Sequence, residues 1–214
     1  MKFKIILLLS FLIAQFSFAQ KFEGTIELVK KTLSDTSYYT YSIKNNFIRI
    51  DESDKYKRVQ KSYLINVKDS TITALDPNQK IYTYVDVQPL VKINEKDVEI
   101  INTGIFKYIN GYKCVQWRVR NKSANSEISY WIATENFEFF TPMAGISANI
   151  EDSFLFYMSI PNKKMKGEMP MLVESRTLLR VEKATYSVTK ISKNPVSLSL
   201  FLIPNTYQNF QVSR

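Results

Sequence analysis

Ser187 and Lys190 stand three residues apart in Ala184-Thr-Tyr-Ser-Val-Thr-Lys-Ile191. That is the spacing at which a lysine amine reaches a serine hydroxyl one helical turn away in acyl-serine enzymes. The chemistry needs a helix start. Here the flanking residues are β-branched and aromatic, which reads as a strand, where positions three apart point to opposite faces. Cys114 is the single thiol. A nucleophilic thiol needs a base, and in a chain without His that base is Lys or a carboxylate. A half-buried structural thiol is the other reading. Acidic residues cluster at Asp51-Glu52, at Asp97 with Glu99, and at Glu151-Asp152. None sits in the D-x-[DN]-x-[DN]-G loop that wraps Ca²⁺. They fall in turns or at a helix start, where solvent or the helix dipole accounts for them.

The composition narrows the choice further. Without His there is no Ser-His-Asp triad, no Cys-His dyad and no His-ligated metal. One Cys excludes an intramolecular disulfide and a Cys-ligated zinc or iron–sulfur site. The 5 Gly include no G-x-G or G-x-x-x-x-G-K spacing, so no phosphate-cradling loop is visible. Paired carboxylates brought together by folding are the one acid–base option left. The expectation is a protein that is not an enzyme and carries no metal or cofactor.

Residues 1–19 read as a secretory leader. Lys2 and Lys4 form a basic start, residues 5–13 are apolar apart from Ser10, and Ser17-Phe-Ala19 offers a small-x-small cleavage site. The apolar run is too short for a membrane span of roughly 20 residues. No Cys follows it to take a lipid anchor. The expectation is an exported protein, periplasmic or extracellular, not lipid-anchored, with residues 20–214 as one domain and no transmembrane segment. The chain carries 29 Lys and Arg against 20 Asp and Glu, a net charge of +9. An exported protein does not meet nucleic acid, so the expected anions are lipid headgroups, with an envelope protein or the membrane surface as partners.

Short alternating runs dominate the rest. Strands are expected at 22–28, 39–43, 47–50, 63–67, 70–75, 80–87, 105–109, 112–120, 127–134, 170–178, 180–191 and 197–203. Turn chemistry divides them: Asn45-Asn46, Asp76-Pro77-Asn78-Gln79, and Asn110-Gly111 as the strongest hairpin signal. Residues 88–103 read as a short helix or irregular crossover. Residues 147–159 read as a helix, with Ile146, Ile150, Phe154, Tyr157 and Met158 on one stripe and Pro161 as its stop.

Strands with one apolar and one polar face, plus one amphipathic helix, predict a mainly β (α+β) fold. Its architecture is a strongly curved antiparallel sheet, an incomplete β-barrel, with a helical lid. The aromatic content exceeds what one sheet face needs. A concave sheet lined by large apolar side chains can hold a hydrophobic guest. The candidate lining residues are Ile26 and Leu28; Tyr39, Tyr41 and Ile43; Val115, Trp117 and Val119; Ile128 and Tyr130; and Phe154 and Met158 from the lid.

Thr103-Gly-Ile-Phe-Lys-Tyr-Ile-Asn-Gly-Tyr-Lys-Cys114 resembles a segment of a family of exported Bacteroidetes proteins of unknown function. Gly104, Lys107, Ile109, Gly111, Tyr112 and Cys114 match the pattern T-G-x-x-K-x-I-x-G-Y-x-C. Phe22-Glu-Gly-Thr-Ile26 and Leu200-Phe-Leu-Ile-Pro204 with Tyr207 are similar to its ends. That family resembles the LolA-like lipoprotein-carrier superfamily. The resemblance implies an unclosed barrel whose concave apolar face holds acyl chains, a non-catalytic role for a lipid-like ligand. The competing expectation is an envelope interaction module whose concave face is filled by its own side chains. An outer-membrane barrel would need outward-facing apolar residues, and Glu23, Glu27, Lys44, Arg118 and Arg120 opposite the apolar faces argue against it.

Overall fold

The computed structural model describes residues 21–87, 97–134, 136–147, 157–158 and 167–210. Twelve strands form one curved, open sheet: β1 (Gly24–Thr32), β2 (Thr36–Lys44), β3 (Phe47–Ser53), β4 (Val59–Asn66), β5 (Thr71–Asp76), β6 (Ile81–Val85), β7 (Val98–Ile109), β8 (Tyr112–Asn121), β9 (Ser126–Ala133), β10 (Met169–Arg176), β11 (Glu182–Ser192) and β12 (Gln208–Asn209). Their order is β12-β6-β5-β4-β3-β2-β1-β11-β10-β9-β8-β7. Two meanders, β1–β6 and β7–β11, join where β1 pairs antiparallel with β11. The two ends do not meet, so the sheet is not a closed barrel. Among the described residues only the two-residue β12, beside β6, is parallel to its neighbour.

Turn residues set the hairpins. Asn45 (φ 56°) turns β2 into β3, and Asn110 (φ 50°) with Gly111 (φ 81°) turns β7 into β8, both with the positive φ that Asn and Gly tolerate. The Asn110 side chain then donates to the Val188 carbonyl at 2.8 Å, tying this hairpin tip to β11. Register aligns the apolar positions into rows. Ile43, Ile48, Ile65 and Ile72 are successive cross-strand partners, and all are buried. Such β-branched pairs on a pleated, covered face are the unit of sheet stabilisation.

A short helix, α1 (Phe140–Ser147), packs into the concave face through Phe140, Met143, Ala144 and Ser147. Its sequence, FTPMAGIS, has no charged side and therefore no amphipathic stripe to betray it. Pro142 is tolerated because it falls in the first turn, where a missing N–H costs nothing. Ahead of α1, Phe137 and Phe139 pack on Phe22 at 5.4 and 5.6 Å between ring centroids, and Tyr112 packs on Phe137 at 5.1 Å. The helix expected over 147–159 lies outside the described residues except for Ser147, which ends α1, and residues 157–158.

Three other expectations need correction. Val98 and Ile101, expected in a helix or crossover, belong to edge strand β7, whose alternation is blurred by a bulge between Asn102 and Phe106. Residues 197–203, expected as a strand, contain a 3-10 helix at Leu198–Phe201. The Ser197 hydroxyl caps it by accepting the Ser199 N–H at 3.3 Å, and its alternating leucines face solvent instead of a core. The outer face of the sheet is not wet at β9, all eight residues of which are buried. Long side chains cover it there. Lys107 Nζ lies 3.9 Å from the Trp131 ring centroid, and Trp131 Nε1 donates to Glu174 at 3.2 Å.

Candidate ligand pocket

The pocket is built by register. Leu28 pairs with Tyr39 and Ile26 with Tyr41 across β1–β2. Tyr41 pairs with Ile50, and Ile50 with Tyr63. On the other side of β1, Lys30 pairs with Tyr186. Strand periodicity puts all of these on the concave face. All of them but Ile26, which is buried beneath, join Glu52, Ile65 and Ser147 in lining a pocket of about 250 Å³. Leu28, Tyr41 and Tyr186 also border a second cavity of about 30 Å³, room for roughly one water-sized group, which Tyr130, Phe140, Tyr157 and Met171 help close.

The concave face is thus divided. Over β9 and β10 the chain fills its own hollow: Tyr157 packs on Tyr130 and Phe140 at 5.9 and 5.2 Å between ring centroids. Over β1 to β4 a pocket stays open. Of the residues expected to line it, Leu28, Tyr39 and Tyr41 do so, and Tyr130 borders the smaller cavity. Ile26 and Ile43 are fully buried in the core beneath. Val115, Trp117, Val119 and Ile128 share the concave face, in the ladder pairs Val115–Ile132, Trp117–Tyr130 and Val119–Ile128, but line neither cavity. Met158 packs against the core near Gly145 of α1, and Phe154 lies outside the described residues. Lys30, Glu52, Ile50, Tyr63, Ile65, Ser147 and Tyr186 were not anticipated. Lys30 and Tyr186 could have been found only by knowing that β1 pairs with β11, a contact between distant parts of the chain.

The pocket is apolar with a polar edge. Lys30 Nζ sits 5.0 Å from the Tyr186 ring centroid, a cation–π distance. Glu52 stands opposite Lys61, whose amine is raised in pKa first by its hydrogen bond with Tyr63, against the pull of burial. The Ser147 hydroxyl is buried without a hydrogen-bond partner, and it lines the pocket. Among the described residues no group of three or more acidic or Cys side chains is placed to hold a metal.

The residues that first suggested chemistry are placed elsewhere. A bulge between Glu27 and Leu28 shifts the β1–β11 register, so Ser187 and Lys190 share the outer face instead of opposing each other. They lie on a strand, and Lys190 Nζ is 3.4 Å from Glu27. Cys114 is fully buried, its pKa pushed up to about 11 by burial. Among the described residues, the two buried acids are ones unremarked in the sequence. Glu127 is gripped by Arg120 Nε at 2.5 Å and Arg176 Nε at 2.9 Å; burial pushes its pKa up, but these two guanidiniums outweigh it and hold the carboxylate below its usual range. Glu168 is fully buried with neither oxygen hydrogen-bonded, and burial pushes its pKa up to about 7.

Comparison with solved structures places the fold. An uncharacterised conserved protein from Thermus thermophilus superimposes with a TM-score of 0.54 at 6% identity, over 94% of this chain and 97% of that one. The Pseudomonas aeruginosa MucA/MucB complex gives 0.53 at 8% identity, over 91% of this chain and 60% of that one. At these identities the likeness is one of fold. A putative outer membrane lipoprotein-sorting protein domain from Vibrio parahaemolyticus overlays with a TM-score of 0.35, too remote to carry an argument. No curated protein matches the chain in sequence. The family model described as a domain of unknown function, DUF4412, matches residues 22–207, nearly the whole described chain. The chain therefore belongs to the DUF4412 family.

Proposed function

We propose that this protein is an exported, non-catalytic binding protein that holds the apolar chain of a lipid-like molecule in the pocket over β1–β4. The observation that carries this reading is the pocket itself. About 250 Å³ is left open among Leu28, Tyr39, Tyr41, Ile50, Tyr63 and Ile65, with a buried, unpartnered Ser147 hydroxyl in its wall. The volume lies just below the roughly 300–1,000 Å³ of pockets for drug-sized ligands. Burying each methylene there is favourable by roughly 0.8 kcal/mol, so affinity needs no reactive group. Lys30 and Glu52 at the edge would meet a polar head. Export rests on the leader pattern in residues 1–19, and the resemblance to lipoprotein carriers points the same way. Among the described residues no helix is long and apolar enough to cross a membrane.

A second reading is an envelope protein-interaction module. What favours it is the half of the concave face over β9 and β10, closed by Phe140 and Tyr157, and the likeness in fold to a structure of a protein–protein complex.

Native mass spectrometry of the protein purified from its own envelope, followed by organic extraction, separates the two. The mass reports whether the chain begins at Gln20. Adducts that extract as lipid support the carrier. An adduct-free mass, with no uptake of added fatty acid or phospholipid, overturns it in favour of the interaction module.

A further inference from the structure

The two ends of the sheet differ in kind. At one end lie the turns β2–β3, β4–β5 and β7–β8, built from Asn45-Asn46, Lys68-Asp69-Ser70 and Asn110-Gly111. At the other lie the turns β1–β2, β3–β4, β5–β6, β8–β9 and β10–β11. Here large apolar side chains stand at the tips: Leu33 is 82% exposed, Tyr56 67% and Leu179 84%. Turn tips are ordinarily polar because nothing buries them.

This rim is contiguous. Thr32 pairs with Ala184, joining the β1–β2 and β10–β11 hairpins. Asn125 accepts from the Leu178 N–H and Lys183 Nζ, each at 3.2 Å, tying in β8–β9. Asn78 donates to Gln60 at 3.4 Å, tying β5–β6 to the foot of β3–β4.

The rim is also basic. Lys31, Lys55, Lys57, Arg58, Lys80, Lys122, Arg180 and Lys183 are all exposed. The acids there are fewer, Asp35, Asp54, Asp76, Asp97 and Glu182; Asp54 is held by Arg58 at 2.7 Å, and Asp76 accepts from the Asn78 and Gln79 N–H groups of its own turn. Tyr56 lies between two of the cations, with Lys55 Nζ and the Arg58 guanidinium each 5.1 Å from its ring centroid.

We propose that this rim docks on an anionic lipid bilayer, with Leu33, Tyr56 and Leu179 entering the headgroup layer and the surrounding cations meeting lipid phosphates. Basic side chains around apolar tips match both halves of such an interface. The tips sit on separate hairpins, and the groove between β1–β2 and β3–β4 is lined mainly by polar groups such as Ser34, Asp35, Ser37 and Gln60. A fluid surface accepts each tip separately, whereas a folded partner would need one continuous apolar face. The inference does not depend on what the pocket holds, although Lys30 and Glu52 place the edge of the pocket beside the rim.

The test is co-sedimentation of the protein with vesicles of phosphatidylcholine alone or mixed with phosphatidylglycerol. Binding to the anionic vesicles, weakened by salt and by omitting phosphatidylglycerol, is expected. Leu33→Asp with Leu179→Asp lowers the partition coefficient at least tenfold, and so does Lys55→Glu with Lys57→Glu. Leu198→Asp with Leu202→Asp, also more than half exposed (55% and 66%) but off the rim, leaves it within twofold. Absence of wild-type binding overturns the proposal, as does equal loss in the off-rim control. A lipid-free dimer in sedimentation velocity that Leu33→Asp with Leu179→Asp dissolves would overturn it too, assigning the rim to a second copy.

Discussion

Lys30 and Tyr186 face each other across the β1–β11 ladder, the amine 5.0 Å from the centre of the ring. The pair makes one wall of the pocket and supplies its cation. Lys30→Met keeps the stem and removes the charge. A fatty acid should then bind about 10- to 100-fold more weakly, the worth of a charge-assisted contact, while the alcohol of the same chain length is unaffected. Stability should fall by less than about 1 kcal/mol. Calorimetric titration of the two ligands checks this, and equal losses for both would refute a role for the charge.

Leu28 borders both cavities. Leu28→Trp should fill the open space and abolish lipid uptake, at a stability cost of about 1–3 kcal/mol for overpacking. Native mass spectrometry reads the first effect and urea unfolding the second.

Glu127 clamps three strands, accepting from Arg120 of β8 and Arg176 of β10. Removing one partner of a buried ion pair costs about 3–5 kcal/mol. Both guanidiniums here keep about a third of their surface in water (37% and 31%), so Glu127→Ala should cost nearer 2 kcal/mol. Because the native pKa is depressed, the contribution of this carboxylate is present above its unfolded pKa and lost on acidification. Urea unfolding of Glu127→Ala and wild type at neutral and acidic pH should show the gap closing as pH falls.

Glu168 has the opposite sign. Its native pKa of about 7 lies above the ordinary 4.5. The folded state therefore binds the proton more tightly, an advantage complete below pH 4.5 and lost as pH rises through 7. The full swing is about 3 kcal/mol. Glu168→Gln keeps the shape and stays neutral, so it should match wild type at pH 4 and exceed it at pH 8. Paired denaturation curves decide. A constant gap between the two proteins would show that folding does not raise the pKa of this carboxyl.

Gly24 opens β1 at φ 147°, and a Cβ there would stand 2.0 Å from the Ser192 carbonyl oxygen. Gly24→Ala should therefore cost more than the roughly 1 kcal/mol of backbone preference, because β11 must move. Gly111→Ala, at φ 81° but with nothing within 4 Å, isolates the backbone share. Thermal melts of the two should differ by several degrees.

The sequence by itself determined the local features. Alternation and turn residues located most strands, because a half-buried strand must alternate and a tight hairpin needs the positive φ of Asn45 or Asn110-Gly111. It also settled the list of chemistries the residue types exclude. It did not reveal α1, since a short helix without a charged residue has no polar stripe. It misread residues 197–203, because alternating leucines look alike in a strand and in an exposed 3-10 turn. It placed Leu28, Tyr39 and Tyr41 in the pocket because their hairpin is local. Only the tertiary structure set Tyr186 and Lys30 beside them, filled the hollow over Tyr130 with Phe140 and Tyr157, and gathered Leu33, Tyr56 and Leu179 on one rim. Those relationships rest on the pairing of β1 with β11 and on a bulge that shifts its register. Pairing between residues some 150 positions apart is decided by the packing of whole faces, and no window of sequence contains it.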